Sequence, residues 1–169
     1  MKFEVYVWIE GVNMKWIDGN EIELMHFSGE EICEKLALEM YDYQYEQWKE
    51  CEEYLQTAMY IIDFDTVTNM EGFPTPYYGY FSNECYLKII KAFRAIGDNN
   101  DADILTEAFY IDSNYQKIFE NIEDKKEFDK IYDEFSDKID ALEKKLYMNT
   151  DFDVWSLLYR YLTEQINRG

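Results

Sequence analysis

The chain has 169 residues, with 36 acidic side chains against 16 basic ones and a formal net charge of -20 at pH 7. Hydrophobic residues make up 47% and aromatics 18%, so the low hydrophobicity that disorder requires alongside high charge is missing. A folded domain is expected whose surface repels nucleic acid and anionic membrane and suits basic macromolecules.

Residues 2–10 alternate, with Phe3, Val5, Val7 and Ile9 on one face of a strand. Asp18-Gly19-Asn20 signals a turn, and residues 21–27 alternate again, so a β-hairpin is expected with its loop inside 11–20. Ser28 with Glu31 forms a capping-box pattern, and Ile32, Leu36 and Met40 follow at helical spacing. From about Tyr45 the spacing predicts one long helix through Trp48, Cys51, Leu55, Met59 and Ile62. On it Glu46, Glu50 and Glu53 would form a single acidic strip.

Gly72-Phe73-Pro74-Thr75-Pro76 interrupts the helical pattern, because proline lacks the amide donor and clashes with the preceding turn. Ser82 or Asn83 can cap a helix that carries Leu87, Ile90 and Phe93 and stops at Gly97. A helix over about 101–111 follows, then a fresh turn or helix from Asp112 to Phe119. Phe128, Ile131, Phe135, Ile139, Leu142 and Leu146 predict a helix over 127–148, and Asp151 or Asp153 caps the last one. The fold class read from this order is mainly α. A single-domain helical bundle over 28–169 carries a hairpin appendage over 1–27.

The charge is uneven: residues 1–60 carry a net -10, residues 61–115 a net -6 and residues 116–169 a net -4. The working surface is expected in the first two thirds. The first candidates are Glu30, Glu31 and Glu34 together with Glu46, Glu50 and Glu53. No run of 18 apolar residues would make a membrane helix. The start of the chain lacks the apolar stretch of a signal peptide, and three widely spaced cysteines suit reduced thiols. A cytoplasmic location is expected.

Catalytic patterns are weak. His26 is the single histidine, and no flanking sequence pairs it with Cys33, Cys51 or Cys85 as nucleophile and base. Asp98 to Asp103 departs from a calcium loop at three positions and reads as a helix-capping loop. Asp63 and Asp65 lack the partners of an acid/base pair. No nucleotide motif occurs. The expectation is a non-enzyme without cofactor or metal.

Asn69-Met70-Glu71-Gly72-Phe73, followed by Tyr77, Tyr80, Phe81 and Asn83, resembles a small bacterial family, the DMP-type DNA-mimic proteins. Their signature is an Asn-Gly-Gly-Phe helix end, aromatics and a Phe-x-Asn helix start. Met70 and Glu71 stand where that signature has asparagine and glycine. Ala92 to Gly97, Ala102 to Leu105 and residues 128–162 fit as well, so the resemblance covers about 45–165. It implies a helical, dimeric protein whose acidic surface imitates duplex phosphates and occupies a basic, DNA-binding protein. Direct nucleic-acid or membrane binding is not implied. Asn69, Gly72, Phe73, Phe81 and Asn83 carry the motif and read as structural. The alternatives are an immunity or interaction protein whose acidity serves solubility, and a small hydrolase-type enzyme.

Overall fold

The computed structural model describes residues 13–23 and 27–168. The expected strand over 3–9 and His26 lie outside them. Strands β1 (Asn13–Lys15) and β2 (Glu21–Glu23) pair antiparallel, with Met14 opposite Ile22. The loop closes over 16–20, inside the stretch that the sequence marks for it. Trp16 accepts at its carbonyl from the Gly19 amide and donates from its own amide to the Asn20 carbonyl. The hairpin packs on the helices. Met14, Trp16 and Ile17 are buried, and the Trp16 indole donates to Glu39 at 2.8 Å.

Seven helices follow: α1 (Gly29–Glu39), α2 (Tyr45–Trp48), α3 (Glu53–Glu71), α4 (Asn83–Ala95), α5 (Asn99–Phe119), α6 (Lys125–Glu143) and α7 (Val154–Arg168). α3 is the core element. It buries every residue from Thr57 to Phe64, as a helix surrounded by others must. α4 packs on α3, α5 on α4 and α6 on α5, while α1 packs against α7 and α3.

The helix ends follow local chemistry. Ser28 and Glu31 make the reciprocal capping box, Ser82 rather than Asn83 caps α4, and Asp153 accepts from the Trp155 amide at the start of α7. α4 ends on Gly97 at φ 88°. The amides of Gly97 and Asp98 return to the carbonyls of Arg94 and Phe93, satisfying the last turn. α3 ends on Gly72 at φ 89° and ψ -178°, a conformation essentially restricted to glycine.

Three expected elements are corrected. The long helix from Tyr45 is two helices, because the chain breaks over 49–52. There the Gln56 amide donates to the Cys51 carbonyl at 2.8 Å, and the Trp48 indole donates back to the Met40 carbonyl. The like charges of Glu46, Glu50 and Glu53 would also have opposed one continuous helix. At Asp112 no new helix starts, since α5 runs through it. The helix expected over 127–148 ends at Glu143, and a 3-10 turn over Tyr147–Asn149 follows.

The aromatics are largely interior. Phe64 meets Phe93 edge-on at 5.5 Å. Phe135 sits among Tyr77, Tyr115 and Phe119, with centroids 5.4–5.8 Å away. This second cluster holds the proline-rich link against α5 and α6.

Candidate functional site

The six carboxylates singled out from the sequence are all exposed, but they do not form two equal strips. Glu30, Glu31 and Glu34 share α1. Glu30 and Glu34 stand about one 5.4 Å turn apart, and neither has an ion-pair partner among the described residues. Glu31 is engaged locally, its carboxylate accepting from the Ser28 amide at 2.7 Å.

The second trio is split by the break after α2, which corrects the single strip. Glu46 lies on α2, Glu50 in the turn and Glu53 at the first position of α3. Their charge is also offset. Lys15 meets Glu50 at 3.3 Å and Lys91 meets Glu53 at 3.0 Å. Glu46 lines a 280 Å³ groove beside Lys49 and Lys88. Of the six, Glu30 and Glu34 on α1 are therefore the two without a cation or a capping amide beside them among the described residues.

A pocket of about 210 Å³ lies between α3 and the start of α7, the two helices against which α1 packs. α3 contributes Phe64, Asp65 and Asn69, α4 contributes Phe93, α5 contributes Asp101, and the start of α7 contributes Asp153 and Trp155. Phe152 stands at its rim, half-exposed and stacked on Tyr147 at 4.2 Å. No lysine or arginine among the described residues lines it. Burial raises the Asp65 carboxyl above the usual range, against the hydrogen bond from the Asn69 amide at 3.1 Å. The Cys33 thiol is pushed up to about 12, first by burial and then by Glu34, Glu30 and Asp65. Tyr159 on α7 is raised by burial, then by Cys33, Glu30, Asp153 and Glu34. The same two groups therefore feel the α1 strip and the carboxylates of the pocket, which places both in one negative field.

Other ionisable groups are structural. Asp63 accepts from the Tyr41 hydroxyl at 3.0 Å and from the Tyr45 hydroxyl. Burial also pushes the thiols of Cys51 and Cys85 up to about 11, so none of the three cysteines is a thiolate near neutral pH. Among the described residues no group of three or more His, Cys, Asp or Glu is placed to hold a metal ion. No described helix is long and apolar enough to cross a membrane.

The motif residues serve the fold. Gly72 ends α3, and Phe73 and Phe81 are buried. Asn83 is the exposed first residue of α4. Asn69 alone also reaches the pocket. Reading the sequence missed that pocket, because its lining comes from positions between 61 and 155. In sequence Asp65 looks like half of an unassisted pair with Asp63, and Asp101 and Asp153 look like capping acids.

A mainly helical bundle with a two-stranded antiparallel hairpin defines the class of protein. The DMP19-like protein family model matches residues 49–165, and the chain belongs to that family. No curated protein and no solved structure shows a significant match.

Proposed function

We propose that this protein is an acidic protein-binding module that occupies the DNA-contacting surface of a basic protein, without catalysis and without a cofactor. The observation that carries the reading is the uncompensated pair Glu30 and Glu34 on α1, in a chain of net charge -20. Duplex DNA carries about one negative charge per 1.7 Å of axis, and its binders match lysine and arginine to that array. A rigid helix with free carboxylates one turn apart offers such a binder a comparable target. Membership of the DMP19-like family supports the same reading. The three free thiols suit a reducing cytoplasm, and a homodimer would double the acidic face.

The test is capture of the native partner at low salt, followed by competition with duplex DNA. The complex is expected to weaken steeply with salt and to be displaced by DNA. A Glu30→Gln/Glu34→Gln variant should bind at least about fivefold more weakly. Glu31 is left intact because it completes the cap. A salt-insensitive complex, or one that binds DNA at the same time, would refute the mimic.

A further inference from the structure

The pocket described above combines three properties seldom found together without a ligand to match. Its volume of about 210 Å³ is below the roughly 300–1,000 Å³ of sites for drug-sized ligands. It admits one side chain rather than a nucleotide. Its walls include the aromatic rings of Phe64, Phe93, Phe152 and Trp155, and its polar lining includes the carboxylates of Asp65, Asp101 and Asp153 with no cation among them. Asp101 already accepts from the Tyr147 amide and the Asn100 side chain, and Asp153 is exposed and caps α7. Half-buried Asp65, with one hydrogen bond from Asn69, is the carboxylate that loses solvation unless a positive group joins it. Aromatic faces attract the same charge through their quadrupoles.

Guanidinium suits this setting better than ammonium. It is planar, stacks on rings, forks onto carboxylates and is more weakly hydrated, so it enters a half-dry site at lower cost. The arginine's aliphatic stem would lie along Ile61, Met148 and Val154, which complete the lining. α1 packs against α3 and α7, the two helices that bring Asp65 and Asp153 to the pocket, so a basic surface seated on α1 lies beside the helices that carry it.

We propose that the pocket between α3 and the start of α7 receives one arginine side chain of the basic partner, which anchors that partner on the acidic face. This rests on the proposed function for the identity of the partner, but the chemistry of the pocket can be tested apart from it. N-acetyl-arginine-methylamide would be titrated into ¹⁵N-labelled protein while following the Trp155 indole resonance, assigned with a Trp155→Phe variant.

A saturable shift in the millimolar range is expected. The citrulline analogue, equal in shape and uncharged, should bind at least about tenfold more weakly. Asp65→Asn and Asp153→Asn should each weaken the arginine probe severalfold. The second substitution retains a good N-cap for α7, and the thermal midpoint of each variant checks its fold. Equal binding of citrulline and arginine by the unaltered protein, or no saturable Trp155 shift, overturns the pocket. If the probe fails while Glu30→Gln/Glu34→Gln still weakens the partner, the pocket is wrong and the acidic-surface reading stands.

Discussion

Gly29 shows how a single side-chain atom decides a helix contact. Its amide donates to the Thr163 hydroxyl at 3.1 Å, and a Cβ there would lie 2.0 Å from the Tyr159 carbonyl oxygen. Backbone on both sides cannot yield as a flexible side chain would. Gly29→Ala is expected to cost about 1–3 kcal/mol or more, measured by urea unfolding. The sequence presents Gly29 only as the residue after an N-cap; the close approach comes from Tyr159 on α7, one turn before Thr163, which lies 134 positions away. Asp98 is a second case. It caps α5 by accepting from the Asp101 amide at 3.0 Å, while its other oxygen is buried without a partner. Burial first, then the neighbouring Asp101 carboxyl, raises it to about 8. An unfolded aspartate titrates near 3.9, so folding holds this proton through the window from about 4 to 8. Its contribution to stability is fully present below that window and is lost as pH rises through it. Asp98→Asn keeps the cap and removes the proton. The decline in unfolding free energy between about pH 5 and pH 8 should be shallower than in the unaltered chain. An unchanged slope would locate the titration elsewhere.

Helix limits were legible wherever the end is chemically local. The capping box at Ser28, the stop at Gly97 and the break at Gly72 each depend on residues within a few positions. Of the misread stretches, the one at Asp112 depends on a distant partner. Asp112 has the composition of a helix start, since a free aspartate competes for nearby backbone amides. In α5 its carboxylate is engaged instead by the Tyr77 amide at 2.9 Å and by the Gln116 amide group. The helix continues, and the proline-rich link is tied to it. Asp112→Ala leaves the Tyr77 amide without its acceptor and is expected to destabilise by about 1–3 kcal/mol. Amide exchange at Tyr77 should accelerate, and exchange as slow as in the unaltered chain would deny the tether. Between α2 and α3 the apolar spacing continues across a break that only the hydrogen bonds of Gln56 and Trp48 define. The acidic strip expected there dissolved with the helix that was to carry it.

For the whole molecule, net charge and surface pairing oppose each other. The described ion pairs are exposed, for example Lys91 with Glu53 and Arg94 with Asp103. Such pairs contribute about 0–1 kcal/mol each, and salt weakens them. Self-repulsion at a net -20 is screened by the same salt and is the larger effect. The thermal midpoint at pH 7 is therefore expected to rise by several degrees between roughly 0.02 M and 0.3 M sodium chloride. The rise should shrink near the isoelectric point of about 4.2. A midpoint that falls with salt at pH 7 would mean that the pairs dominate.

The sequence by itself determined the mainly helical class, the hairpin signal, most caps, the burial of the aromatics and the acidic character of the surface. Composition, period and capping are properties of short stretches, so they survive without a fold. Tertiary structure alone decided which carboxylates remain uncompensated. Lys15 and Lys91 reach Glu50 and Glu53 from positions 35 and 38 residues away, leaving Glu30 and Glu34 as the unpaired members of the six candidates. It alone also assembled the pocket, because α3, α4, α5 and α7 each supply part of the lining. Charge is a sum over residues and can be read in one dimension. Its pairing and enclosure depend on distances that exist only after the chain has packed.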